Sequence, residues 1–166
     1  MKTSNKLVNL FDTIVEQFED KIGVVQMSNV AQGRCLCQAV RLSTTKMNHQ
    51  IGACHCRMCR KWGGSALLVI DCESEVNFEG TEDISIYQSS DWAERGFCRN
   101  CGTHLFYRLK QNQQYFIPVG LFDDAEDLYF EHQIFIDEKP DYYSFANETH
   151  NMTGAEFFAQ VASEGQ

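Results

Sequence analysis

Proline is scarce in this chain: Pro118 and Pro140 are its only two, and no Gly/Ser-rich or low-complexity stretch accompanies them. Nothing therefore reads as a linker, and 166 residues predict one main domain, large enough to bury a core. Long apolar runs are missing too. No stretch approaches the roughly 18–20 residues of a membrane span. Positive charge is in deficit, with 14 Lys and Arg against 23 Asp and Glu and a net charge of -9. That excludes nucleic acid as the main partner, because phosphate binding needs a basic surface. It also excludes docking on anionic membranes. Residues 1–9 lack an apolar core followed by a small-residue cleavage site, so the expected compartment is the cytoplasm, where thiols stay reduced.

What is plentiful is cysteine, eight in all. In a reducing compartment such a count points to metal or catalysis before disulfides. Cys54, Cys56 and Cys59 form a C-x-C-x-x-C run, with Cys35 and Cys37 upstream as C-x-C and Cys98 and Cys101 downstream as C-x-x-C. Zinc prefers four tetrahedral ligands and takes thiolate readily. Seven clustered thiols are one short of two closed sites, which predicts one complete structural site and one with a vacant position.

Around these clusters the texture is β-rich. Short runs of β-branched and aromatic residues at 33–43, 51–55, 66–72, 84–88, 93–98, 103–107, 115–119 and 133–136 alternate with Gly, Asn, Asp and Ser turns. Two helices flank them. Leu7, Leu10, Phe11, Ile14, Val15, Phe18 and Ile22 fall on one helical face, expected to pack on the domain or on a second subunit. Their segment is read as an N-terminal helical extension, 1–30, ahead of a zinc-binding domain, 31–166. Thr153 and Glu156 have capping-box spacing ahead of a short C-terminal helix.

On a strand, residues i and i+2 share a face, so Cys35 and Cys37 are expected to present two sulfurs together with Leu36 turned away. Paired with the turn-type Cys98-x-x-Cys101-Gly102, they would close a four-thiolate zinc site across about sixty residues. The triplet needs no outside help to converge on an ion, and three protein ligands with an open position is the pattern of catalytic zinc. A thiol entering that position would be deprotonated at neutral pH. Two other partitions remain open: Cys56 and Cys59 completing a four-thiolate site with one of the pairs, which orphans Cys54, or disulfides. Cys72, in an apolar run, reads as a buried inert thiol. His55 reads as a support for the ligands beside it or as structural, and His104 has the same standing. Arg34, Arg57, Arg60, Lys61, Arg95, Arg99 and Arg108 lie close in sequence to the cysteines. They neutralise thiolate charge or draw in an anionic small molecule.

Three segments carry a family likeness: Gly33-Arg34-Cys35-x-Cys37, Cys54-His55-Cys56-x-x-Cys59, and Gly96-Phe97-Cys98-x-x-Cys101-Gly102-Thr103. Val119-Gly120-Leu121-Phe122-Asp123 and His132-Gln133-Ile134-Phe135-Ile136 extend it. Together they resemble the glutathione-dependent formaldehyde-activating enzyme family, which includes centromere protein V. The resemblance implies a mainly β fold, a β-tent of packed antiparallel sheets with two zincs. It assigns Cys35, Cys37, Cys98 and Cys101 to a structural zinc and Cys54, Cys56 and Cys59 to a catalytic one. It also implies a carbon–sulfur lyase activity, the condensation of glutathione with formaldehyde to S-hydroxymethylglutathione. Two features depart from the pattern: the N-terminal helix, and Tyr142-Tyr143 where a tryptophan is expected.

The expected function is thus a zinc-dependent lyase acting on a thiol such as glutathione, with Arg57 or Arg60 orienting a substrate carboxylate. A zinc-stabilised protein-interaction module without catalysis is the competing expectation. Assembly into a homo-oligomer is compatible with both.

Overall fold

The structure is a computed structural model and describes residues 30–123 and 126–164. The amphipathic face at residues 7–22 lies outside them. Among the described residues the chain is mainly β, in two sheets. The smaller joins β1 (Ala31–Arg34), β2 (Arg41–Thr44) and β5 (Val76–Glu79), all antiparallel. The larger has eight strands in the order β11-β10-β3-β4-β9-β8-β7-β6. These are β3 (Gln50–Cys54), β4 (Leu67–Asp71), β6 (Ile84–Tyr87), β7 (Ala93–Cys98), β8 (His104–Leu109), β9 (Tyr115–Pro118), β10 (Tyr129–Ile134) and β11 (His150–Met152).

The sheets meet over a core of Val40, Leu42, Ile70, Leu105, Phe106, Ile117, Leu121 and Phe122, all buried. Alternation explains the strands that feed it. In β2, Leu42 and Thr44 turn inward while Arg41 faces solvent; in β9, Tyr115 and Ile117 are buried between less buried neighbours. Phe78 of β5 reaches across to Phe106 and Tyr115, at ring separations of 5.3 and 5.7 Å. Gly33 is where the chain after β9 crosses β1. A Cβ there would stand 2.4 Å from the Leu121 carbonyl oxygen, so only glycine fits.

Three expectations change. The run 33–43 is two strands, broken at Cys35–Val40. Gln38 turns left-handed at φ 65° and its N–H bonds Cys35 O at 2.9 Å, so Cys35 and Cys37 sit in a tight turn and not on a strand. Leu36 does point away, 84% exposed. The sheets are not wholly antiparallel, because β10 runs parallel to both β3 and β11. It occupies Tyr129–Ile134 and not 133–136, since Phe135 adopts φ 57° and ends the ladder. Strands β5 and β11 are short, and their period-2 signal is correspondingly weak. Helix α1 (Arg57–Gly63) follows β3, and helix α2 (Gly154–Glu164) closes the described chain. Its capping box forms as the sequence predicts: Glu156 N–H donates to Thr153 Oγ1 at 3.3 Å and Thr153 N–H to Glu156 Oε2 at 2.8 Å.

Ile117 is fully buried at the meeting of the two sheets. Ile117→Ala is expected to destabilise the fold by about 2–5 kcal/mol, read as a lower urea midpoint with an unchanged slope.

Candidate functional site

The turn at Cys35–Val40 and the turn after β7 bring four thiols into one cluster. Cys98 ends β7, Gly102 takes φ 75°, and its N–H bonds Cys98 O at 2.8 Å. That tight reversal swings Cys101 back beside Cys98. Cys35 Sγ lies 3.5 Å from Cys37 Sγ, which lies 3.7 Å from Cys98 Sγ. All four sulfurs are within 4.8 Å of one another. A tetrahedral ion with metal–sulfur distances of about 2.3 Å spaces its sulfurs about 3.8 Å apart, so the cluster fits a single ion. Backbone and hydroxyl groups are already aimed at the sulfurs: Val40 N–H donates to Cys35 Sγ at 3.3 Å, and Thr103 Oγ1 is 3.1 Å from Cys101 Sγ. Bonds from the Thr103 hydroxyl and then its N–H hold the Cys101 thiol down to about 5. Leu36 N–H donates to the same hydroxyl at 3.1 Å, tying the two halves together.

The second cluster is built from one continuous stretch. Cys54 is the last residue of β3, Cys56 caps α1, and Cys59 lies one turn into that helix. Cys59 N–H donates to Cys56 Sγ at 3.4 Å, so the capping atom is also a candidate ligand. Gly64 at φ 80° stops the helix, its N–H on Arg60 O at 2.8 Å. The three sulfurs lie within 4.8 Å of one another. Among the described residues, the cluster comprises three thiols and no fourth Cys, His, Asp or Glu. The Cys54 and Cys59 thiols, followed by the Cys59 N–H, hold Cys56 down to about 2, while Cys54 is pushed up by Cys56 and then Cys59. Cys54 and Cys56 are partly exposed and Cys59 is buried, so the cluster is reached from the surface. Two concavities elsewhere, of about 340 and 240 Å³, include no thiol in their linings.

His55 points away from the sulfurs and is fully buried. Its Nε2 meets Gln133 Oε1 at 2.9 Å and its Nδ1 meets Tyr143 OH at 2.7 Å. The network fixes the proton. Thr149 gives its hydroxyl proton to Asn151 Oδ1 and so accepts from Gln133 Nε2 at 2.6 Å, leaving Gln133 Oε1 to accept from His55 Nε2–H. Burial first, then the charges of Lys139 and Arg60, hold the imidazole below its usual range and neutral. Its Nδ1 therefore accepts from Tyr143. His55 is a strut that locks the Cys54–Cys56 bend onto β10 and the 142–145 segment. Tyr143, at the departure from the family pattern, is part of that strut.

Of the seven basic residues near the cysteines, the side chains of three bond other groups. Arg34 pairs with Asp123 at 3.2 Å, and Arg108 holds Glu94 and the Tyr115 hydroxyl. Arg60 Nε donates to His55 O at 2.8 Å, bracing the bend from the helix side. The Arg57 side chain is exposed at the start of α1, while its N–H donates to Glu138 Oε2 at 2.6 Å. Arg95 is the residue that touches a clustered thiol, its Nη2 3.5 Å from Cys59 Sγ, although sequence reasoning singled out Arg57 and Arg60. Trp62 of α1 stacks on His104 at 4.5 Å and lies 5.7 Å from the Arg95 guanidinium, with Tyr107 4.9 Å from it. Cys72 is buried and its thiol pushed up to about 12 by burial and then by Asp71, as expected of an inert thiol.

A mainly β domain with separate clusters of four and three thiols defines a cysteine-framework protein able to hold metal ions in two places. Residues 30–138 match the family described as glutathione-dependent formaldehyde-activating enzyme, and the chain belongs to that family. It is 37% identical over 131 residues, 78% of this chain and 96% of the relative, to a Schizosaccharomyces pombe protein described as an uncharacterized lyase. A Rhodobacter sphaeroides protein of known crystal structure is 26% identical, with a TM-score of 0.49, covering 55% of this chain and 87% of its own.

Tyr143→Phe removes the donor to buried His55 Nδ1. Stability should fall by about 1–3 kcal/mol, measured by urea unfolding, with the metal content per chain unchanged.

Proposed function

We propose that this chain is a zinc-dependent carbon–sulfur lyase that joins a small thiol such as glutathione to a carbonyl compound such as formaldehyde, and releases it in reverse. The observation that carries the reading is the unequal division of sulfur, four thiols in one cluster and three in the other. Cys35, Cys37, Cys98 and Cys101 would hold a closed structural zinc and Cys54, Cys56 and Cys59 a zinc with a free position. When bound there, zinc acts as a Lewis acid that lowers the pKa of an entering thiol.

The chain's own residues supply the rest. Cys56 and Cys59 are fixed by the first turn of α1 and Cys54 by β3, so the three donors are preorganised. His55, Gln133 and Tyr143 hold the bend between them. Arg57, exposed at the rim, offers a cation to a substrate carboxylate, and Arg60 contributes from the half-buried side. The seven thiols must stay reduced to serve as ligands, which suits the cytoplasm. Family membership and the lyase name of the S. pombe relative support the same reading.

Glutathione titrated into cobalt-substituted protein should shift the ligand-field bands saturably. Cys56→Ser should abolish both the shift and turnover while one metal per chain remains. Spectra unmoved by every thiol would favour a non-catalytic interaction module, and loss of both metals with unfolding in Cys56→Ser would count against a separate catalytic site.

A further inference from the structure

Arg95 is 3% exposed, in the middle of β7, and its guanidinium reaches the three-thiol cluster through Nη2. Its Nη1 is buried and has no hydrogen-bond partner, the one buried side-chain nitrogen or oxygen so placed among the described residues. Burying an N–H of a cation without an acceptor is costly, and native structures rarely leave one so. The aromatic neighbours do not relieve it. Tyr107 and Trp62 lie against the guanidinium as ring faces, whereas its N–H groups radiate in the guanidinium plane. Nor does a carboxylate: Glu94, the adjacent residue, faces the other way into Arg108 and Gln88. Nη1 and Nη2 hang from the same carbon in a rigid plane, so an acceptor on the outward Nη1–H would sit at the same end of the side chain as Cys59 Sγ.

We propose that Arg95 is a catalytic residue whose Nη1 binds an anionic oxygen next to the three-thiol cluster; resting on the lyase reading above, that oxygen is the one of the reacting carbonyl. The sulfur lone pair of the thiolate forms the new C–S bond. The C=O π pair moves onto oxygen, and the resulting alkoxide takes from water a proton equivalent to the one the thiol gave up. Nothing is oxidised or reduced. Arg95 already stands where negative charge develops, so little reorganisation accompanies the step. The fork's second nitrogen, on Cys59 Sγ, keeps that position in register with the thiols. Trp62 and Tyr107 lie against the cation, with His104 stacked on Trp62, and shield it from water.

Formate, a planar one-carbon oxyanion, tests this without turnover. Titrated into the zinc-loaded protein at constant ionic strength, it should shift the Arg95 guanidinium ¹⁵N–¹H signals saturably. Arg95→Lys should bind it about tenfold or more weakly. With thiol and aldehyde, Arg95→Met should lower kcat about a hundredfold or more, the KM for thiol and the metal content staying near wild type. Methylguanidinium should restore part of the activity of Arg95→Ala. An Arg95 signal unmoved by formate in the wild type overturns the proposal even if no variant folds, and so does Arg95→Met turning over within about twofold of wild type. Formate binding at Arg95 with no thiol–carbonyl turnover in the wild type would sink the lyase reading and leave the anion site standing.

Discussion

The structure depends on a geometric demand of sulfur. Thiolates that share an ion must stand under 5 Å apart, yet they repel one another, so the chain has to force them together before a metal can reward the arrangement. It does this at turns, where the backbone reverses within a few residues and its N–H groups face inward. The four-thiol cluster uses two such reversals, one left-handed at Gln38 and one at Gly102. The three-thiol cluster uses a strand end, a helix cap and a first helical turn, with Cys56 serving as cap and candidate ligand at once. Sheet pairing then brings the distant turns together, since β1 and β2 lie across the sheet that carries β7 and β8.

Around the three-thiol cluster, the polar groups fall into two kinds. His55, Gln133, Tyr143, Thr149 and Asn151 form a satisfied chain in which each donor meets an acceptor, and a network of that kind rigidifies. Arg95 breaks the pattern with a buried nitrogen left over. Among the described residues the fold leaves this one buried side-chain nitrogen unmet, beside three clustered thiols, which is where the proposed chemistry would fall. The charges agree with this. Three thiolates with a divalent ion carry one net negative charge, and one guanidinium offsets it, so the site can accept a further anionic atom at modest electrostatic cost.

The cysteine spacing made the clusters legible in the sequence, because C-x-C and C-x-x-C confine sulfurs locally whatever the surrounding fold. The C-terminal helix was legible for a similarly local reason, the reciprocal bonds of Thr153 and Glu156. What sequence reasoning missed was of two kinds: local bonding and short elements that carry little periodic signal, and contacts made only by long-range packing. The break at Cys35–Val40 comes with the left-handed turn at Gln38 and a sulfur that accepts the Val40 N–H, neither of which alternation registers. Helix α1 is only seven residues long, and its apolar pattern is lost among ligands and arginines, although Gly64 after Lys61 marked its end. Arg95 stood among seven basic residues near the cysteines, of which the sequence reading singled out Arg57 and Arg60. Only the pairing of β7 with β8 and the packing of α1 separate it from Arg34 and Arg108, which spend their charge on Asp123 and Glu94.

Sulfur coordination measured by X-ray absorption at the metal edge, together with metal content per chain, tests the division of thiols most directly. The account predicts two zinc ions per chain and seven sulfurs shared between them, an average midway between three and four, with a lighter donor completing the shell. A single ion per chain, or a full four-sulfur shell around each in the absence of added thiol, would contradict it.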